Sequence, residues 1–359
     1  MHEKIAFSTL LWYNKKKLKL QQGENEMGIY LNPENVDFQE VLNSKIYVDK
    51  SELIQYTNSV LRTTQKYICV SRPRRFGKSM AANMLTAYYS RGCDSRGLFQ
   101  GLKIATHPDF EKYLNQYNVI HLNMRDYLTE SENMKQLIQF VEDDLLDELQ
   151  QEFSDLRMPR RKTLVKVLEQ AFAQYKIPFV FIIDEWDCIF RVHKSDAASQ
   201  KDYLDFLRNL LKDKSYIALA YMTGILPIKK YGEHSAINVF YEYSMTDASP
   251  IEEFTGFTEQ EVRQLCEQYN MPFSETKKWY DGYCVDGVSI YNPKSVVEAM
   301  LRGKFSNYWT QTETYEALKI YIQSNEFGVQ DVILKLLAGE KEKIDTTTFR
   351  ACVHSKKVV

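Results

Sequence analysis

SRPRRFGKS, residues 71–79, closes like a phosphate-binding loop and opens unlike one. The pattern G-x-x-x-x-G-K-[ST] fits Gly77, Lys78 and Ser79 but asks for glycine where this chain has Arg72. Three matching residues decide little by themselves, so the flanks carry the reading. KYICVS, 66–71, is a β-favouring apolar run suited to a buried strand, and SMAANMLTAYY, 79–89, sets Met80, Met84, Leu85 and Tyr88 at helical spacing. Strand, loop, helix is the context such a loop requires, because consecutive backbone N–H groups and a helix N-terminus converge on an anion. In that context Gly77 allows the backbone to approach closely, Lys78 supplies charge at the β- and γ-phosphates, and Ser79 reaches a magnesium ion.

The missing glycine has a physical answer. Pro73 disfavours the α region for the residue before it, so Arg72 continues in extended geometry off the strand. Glycine is needed only where φ is positive or the backbone crowds a ligand. Arg72, Arg74 and Arg75 bring three guanidinium groups to the loop, with two readings: contact with phosphate and transition-state charge, or ion pairing with neighbouring acids. The candidate nucleotide-binding stretch is therefore Arg72, Arg74, Arg75, Phe76, Gly77, Lys78, Ser79 and Met80.

A second motif supports the first. FVFIIDEWD, 179–187, is the most strand-like apolar run in the chain and ends abruptly in acids. Two adjacent carboxylates closing a buried strand are costly unless a cation sits beside them. Asp184 is the candidate magnesium ligand, with Ser79, and Glu185 the candidate base that orients or deprotonates an attacking water. SYIALAYMTG, 215–224, is another buried strand, ending in Thr223, the candidate γ-phosphate sensor. Asn123, closing the strand candidate NVIHLNM at 118–124, is placed to hold Glu185. The candidate catalytic set is Glu185, Lys78 and Thr223.

Composition narrows the alternatives. With 46 Lys+Arg against 48 Asp+Glu the formal charge is −2, so any anion site is local and affinity for DNA or RNA is expected to be weak and salt-dependent. The basic run RMPRRK, 157–162, reads first as a solvated turn. The cysteines are scattered without a CxxC pair and the histidines without H-E-x-x-H spacing, which argues against a disulfide framework or a zinc centre. No stretch approaches the ~18 apolar residues of a membrane span. The N-terminal apolar run precedes its lysines, the wrong order for a signal peptide, so a cytoplasmic protein is expected.

Strands that are near-continuously apolar and alternate with helices predict an α/β fold with a parallel sheet covered on both faces. The helix candidates lie at 79–89, from 134 to beyond 145, at about 162–175, and around Tyr203–Leu211. In YVDKSELI, 47–54, Asp49 or Ser51 is the expected helix cap. The expected organisation is an N-terminal extension at 1–26, with Met27 as an alternative start, a core at 27–250, and a helix-rich, tyrosine-rich subdomain at 251–359.

Taken together, YVDKS, SRPRRFGKS, FVFIIDEWD, TGILPIKKYG, EFTGFTEQEV, KKWYDGY and YNPKSV resemble the predicted AAA-ATPase-like family, over about Ile29 to Phe349. In that family the Arg-Pro-Arg-Arg-Phe-Gly-Lys loop is usual, so Arg72 is a family trait. The resemblance implies a P-loop NTPase fold, a three-layer α/β/α parallel sheet with a C-terminal helical lid, binding ATP or ADP with Mg²⁺. Longer family members carry a nuclease domain of the PD-(D/E)xK class, which is expected to be absent here. Lys229 and Lys230 would then face a partner or nucleotide, and Trp279, Tyr280 and Tyr283 would pack the lid core in preference to stacking on a base. Three activities stay open: an ATPase acting on a partner or nucleic acid, a nucleotide-gated scaffold with negligible hydrolysis that controls a protein effector or nuclease, and, less favoured, a small-molecule kinase. Oligomerisation stays open as well.

Overall fold

The apolar runs assemble into one parallel sheet. The computed structural model describes residues 28–193, 195–228, 238–245, 247–285 and 287–308. The N-terminal extension, Lys229, Lys230 and the chain from 309 onward lie outside the described residues. Strands β1 (Tyr67–Ser71), β2 (Asn118–Asn123), β3 (Phe179–Asp184), β4 (Ile217–Gly224) and β5 (Tyr241–Tyr243) stand in the order β2-β3-β4-β1-β5, each pair of neighbours parallel. Four of them lie where the apolar runs predict. The three residues of β5 are too short a run to stand out.

Alternating side chains divide the core between the two faces of the sheet. Tyr67, Cys69, Phe181, Ile183 and Met222 pack on one face against α5 (Met134–Glu152), α6 (Leu164–Tyr175) and α8 (Ala197–Leu211). Ile68, Val70, Val180, Ile182 and Tyr221 pack on the other against α1 (Val36–Leu42), α2 (Leu53–Val60) and α3 (Lys78–Tyr89). Both faces are covered, which is why β1, β3 and β4 are buried at every residue and read as unbroken apolar runs. Each fully buried Ile or Phe contributes about 1.5–3 kcal/mol through the hydrophobic effect. The short helices α4 (Met124–Glu130) and α7 (Cys188–Val192) follow β2 and β3 directly.

The outer edge of β2 is closed by the chain's own N-terminal segment. Leu31 bridges Ile120 antiparallel, and Glu148 on α5 accepts the N–H groups of Ile29, Tyr30 and Leu31 at 2.7, 3.0 and 2.6 Å. A covered edge cannot recruit a foreign strand.

The C-terminal part contains the expected helices, α9 (Glu259–Gln268), α10 (Phe273–Tyr280) and α11 (Pro293–Arg302). It also contains a small antiparallel sheet that the helix-rich reading did not include: β6 (Phe257–Thr258), β7 (Asp281–Val285) and β8 (Val288–Tyr291), in the order β6-β8-β7. Its hydrophobic core takes in Ile46, with Val48 packed alongside, next to Val262, Leu265, Tyr291 and Val296.

The YVDKS stretch has a role other than the expected helix cap. Asp49 accepts from the N–H groups of Ser51 (2.8 Å) and Lys103 (2.7 Å), and Ser51 Oγ accepts from Ile104 N–H at 3.1 Å. These bonds fasten the stretch to residues 103 and 104, and α2 begins without a side-chain cap. Lys50 reaches across to the C-terminal part, donating to both oxygens of Glu261 and to the Glu253 carbonyl, each at 2.6 Å. Glu261 in turn completes the capping box of α9 with Thr258. Burial pushes the Lys50 ammonium below its ordinary pKa even though Glu261 opposes it. Lys50→Met is expected to lower unfolding stability by about 1–3 kcal/mol, because it strands polar acceptors with little access to water. Urea titrations of Lys50→Met, Glu261→Gln and the double variant check this. The double variant is expected to lose less than the sum of the two singles.

Candidate functional site

The parallel register brings the carboxyl ends of β1, β3 and β4 side by side. Ser71 pairs with Gly224, Val70 with Thr223, and Ile183 with Met222. In open α/β sheets the crevice beyond these strand ends is where ligands bind.

The loop after β1 leaves the sheet as the proline predicts. Arg72 N–H still donates to the Gly224 carbonyl at 3.1 Å, carrying the ladder one residue past the strand. The chain then turns through two left-handed residues, Arg75 at φ 69° and Gly77 at φ 84°. At Gly77 the positive φ is what demands glycine, since the nearest atom to an added Cβ is Met80 Sδ at 4.0 Å. Arg75 holds a conformation that disfavours residues bearing a Cβ.

The three arginines separate. Arg72 is only 1% exposed, and its Nη1 donates to the carbonyls of Ser71 (3.0 Å) and Tyr243 (2.7 Å). That one nitrogen ties the end of β1 to β5. Arg74 is half-buried, Arg75 is exposed on the loop, and Met80 is exposed in the first turn of α3. Lys78 is buried, its Nζ donating to the carbonyls of Arg72 and Pro73 at 3.1 Å each. Burial pushes the Lys78 pKa down, while Glu185, Asp184 and Asp187 pull it back up.

Asp184 joins the pieces. Ser79 Oγ donates to its Oδ2 at 2.5 Å, Thr223 Oγ1 donates to its Oδ1, and Glu185 N–H donates to Oδ1 at 2.9 Å. One carboxylate thus links the first turn of α3, the end of β3 and the end of β4. Glu185 follows at φ 53°, and its carboxylate is ion-paired with Arg191 on α7. Arg191 Nε also lies 3.1 Å from Oδ2 of Asp187, which is fully buried and accepts N–H groups from Ile225 (3.1 Å) and Leu226 (2.9 Å). Burial pushes the Asp187 carboxyl above its usual range, with Arg191 the main opposing influence. Gly224 is required by close packing: a Cβ there would lie 2.7 Å from both Trp186 Nε1 and Asp187 Oδ1.

Asn123 does not hold Glu185. Its side chain accepts from Arg125 N–H at 3.1 Å and caps α4. The residue that does hold Glu185, Arg191, was not singled out from the sequence. Its spacing of four from Asp187 was the available signal, an acid and a base on one helical face.

The donor set fits a nucleotide with a hard divalent cation. α3 starts at the loop with its first N–H groups lacking intrahelical partners, a buried lysine lies behind them, and carboxylate and hydroxyl oxygens cluster at Asp184, Ser79 and Thr223. Magnesium takes oxygen ligands of this kind. Among the described residues no group of three or more His, Cys, Asp and Glu side chains could hold a metal ion, and no helix is long and apolar enough to cross a membrane. The basic turn at 157–162 joins α5 to α6 and exposes Arg157, Arg160, Arg161 and Lys162.

Phe76 connects the loop to the C-terminal sheet. It is 1% exposed, in a cluster with Ala248, Val285 and Ile290, and its ring meets Tyr283 edge-on at 5.2 Å. Its carbonyl accepts from Gly256 N–H at 3.0 Å. The aromatic stretch 279–283 is therefore only partly packed core: Tyr280 is buried against Phe305 and Tyr308, whereas Trp279 is 49% exposed.

A family model described as "Predicted AAA-ATPase" matches residues 36–232. A curated protein of Azotobacter chroococcum mcd 1, described as an uncharacterized protein in the vnfD 5' region, is 25% identical over 256 residues, which cover 68% of this chain and 47% of that protein. The chain thus spans about half the length of the curated relative it matches. Similar solved structures include the ORC2 protein of Aeropyrum pernix in its ADPNP–ADP complexes, at 10% identity and TM-score 0.31, covering 65% of this chain and 50% of that one. Domain III of the Thermotoga maritima replication initiation protein DnaA is 13% identical at TM-score 0.30, covering 74% of this chain and 91% of that one. AMPPCP-bound DnaA from Aquifex aeolicus is 10% identical at TM-score 0.29, covering 83% and 70%.

Phe76→Ala is expected to destabilise the protein by about 3–5 kcal/mol, the range for emptying a buried phenylalanine site. The midpoint of urea unfolding measures it. Limited proteolysis is expected to cut first in β7 and β8, which lose their contact with the loop.

Proposed function

The chain belongs to the predicted AAA-ATPase family, and we propose that it binds ATP with Mg²⁺ at the loop 72–80 and hydrolyses it to ADP and phosphate. The observation that carries this reading is the Asp184 carboxylate shared between Ser79 on α3 and Thr223 on β4. That link joins the phosphate-binding element to the acidic strand end through groups a magnesium ion would also use.

In this reading the N–H groups of Gly77, Lys78 and Ser79 cradle the phosphates, and Lys78 turns its ammonium from the carbonyls of Arg72 and Pro73 to the β- and γ-phosphates. Phe76 fixes the loop's path and Met80 lies at its exit. Ser79 and Asp184 would hold the cation, which when bound offsets charge on the triphosphate oxygens. Glu185 takes a proton from the attacking water, and Thr223 orients the γ-phosphate side of the site. Arg74 and Arg75 meet phosphate charge in this reading, and Arg72 also holds the loop's root to β5. The small C-terminal unit, proposed to begin near residue 251, would transmit the nucleotide state to a protein effector or to nucleic acid.

One observation favours a second reading, a nucleotide-gated scaffold that hydrolyses negligibly. Glu185, the proposed base, has its carboxylate engaged by Arg191.

Two substitutions test the assignment. Lys78→Ala is expected to weaken ATP binding sharply in calorimetric titration, with circular dichroism as the folding control. Equal affinity in variant and parent would remove the loop assignment. Glu185→Gln is expected to retain ATP binding with Mg²⁺ while steady-state phosphate release falls by roughly 10²–10⁴, the contribution of general-base catalysis. If Glu185→Gln turns over as fast as an active parent, Glu185 is not the base.

A further inference from the structure

We propose that the groove between α5, α6 and α8 is the docking site of this chain's own N-terminal stretch, residues 5–19, IAFSTLLWYNKKKLK. The groove encloses about 370 Å³, a volume within the range of ligand clefts. Buried Leu164 and Phe206 and half-buried Ile138 and Val165 give it an apolar lining. Glu142, Asp202 and Asp205 line it as well, against the one ammonium of Lys135. None of these residues belongs to the phosphate loop or to the acidic end of β3, so the groove is independent of the proposed ATP site.

Two of its three acids lack a cation. Asp205 is paired with Arg208 at 2.9 Å. Among the described residues neither Glu142 nor Asp202 has an ion-pair or hydrogen-bond partner, although the exposed Lys162 stands only two residues before Leu164. Burial, with Asp143 adding to it, pushes the Glu142 carboxyl above its usual range. A half-buried carboxylate without a counter-charge is unfavourable, and an arriving ammonium relieves it. Over its whole length α5 carries six acids and one lysine, so its field attracts a basic segment.

The N-terminal stretch has the complementary chemistry. Ile5 to Tyr13 is apolar but for Ser8 and Thr9, and Lys15, Lys16, Lys17 and Lys19 follow with no acid among them. The stretch lies outside the described residues, but the point where the chain enters the fold does not. Glu148 accepts the N–H groups of Ile29, Tyr30 and Leu31, so entry is on α5, the helix that also carries Ile138 and Glu142. Glu142 precedes Glu148 by six residues, which is about 9 Å along the helix and roughly a third of a turn around it. From Gly28 back to Lys19 an extended chain spans up to about 30 Å. The lysines therefore reach the groove with chain to spare. Tethering favours this occupant over a free one: a segment on a short linker meets its site at an effective concentration on the order of millimolar. A second copy or a separate basic peptide has to compete with that.

The test is zero-length carbodiimide coupling of the full chain, which joins an amine to a carboxylate already in contact with it. An equal mixture of unlabelled and heavy-nitrogen-labelled protein is coupled, and the links are read by peptide mass spectrometry. The expected products join Lys15, Lys16, Lys17 or Lys19 to Glu142 or Asp202 within one chain. The triple variant Phe7→Ser/Leu11→Ser/Trp12→Ser leaves every charge in place and alters no residue from 28 onward. It is expected to lower the yield of those links at least about threefold, because the apolar seat is lost. Links confined to exposed acids such as Asp143 and Asp147 overturn the proposal, as does a yield that the triple variant leaves unchanged. Links that join an unlabelled chain to a labelled one assign the groove to a second copy and overturn it too. So does the absence of any link from these lysines.

Discussion

A carboxylate at the end of a buried strand must find donors, and Asp184 takes one from each structural neighbour that matters to the site. Ser79 comes from the helix that follows β1, and Thr223 from the end of β4. Both hydroxyls require the parallel register to be correct, because the side-chain direction in a strand reverses with a slip of one residue. The apolar packing on both sheet faces sets that register. The helices α3, α5, α6 and α8 thus act on the site through the strand ends that they hold in line.

Much of this was legible in the sequence. The runs at 66–71, 118–124, 179–187 and 215–224 each contain a strand because burial on both faces leaves no polar alternation to obscure them. The backbone path at Arg72 was legible. Pro73 announced the extended path, but the acceptors of the guanidinium, the carbonyls of Ser71 and Tyr243, depend on β5 lying beside β1. Strand order is a tertiary fact with no local signature, and the insertion of β4 between β3 and β1 likewise could not be read from spacing. Asn123 followed the same logic: strand position suggested a reach to Glu185, yet its nearer backbone offered a helix to cap.

The C-terminal sheet was missed for another reason. Valines 285 and 288 pair across Asp286-Gly287, a two-residue hairpin signal present in the sequence. The reading of this part as helix-rich and tyrosine-rich did not take that signal up. Arg191 illustrates the limit of motif reading: its spacing of four from Asp187 is visible in the sequence, and only the fold brings Glu185 to it.

Lys50, Ile46 and Val48 lie early in the chain but pack with residues beyond 250, and Phe76 does the same from the middle of the loop. The two parts are interleaved in sequence and share side chains in space. A fragment cut between them would expose apolar surface on both pieces: Ile46 and Phe76 would lose their cover on one, and Tyr291 and Ile290 on the other. Evolutionary exchange of the C-terminal part for an unrelated unit would accordingly have to carry compensating changes in the first eighty residues, so that the two parts inherit as one object although they are read as two.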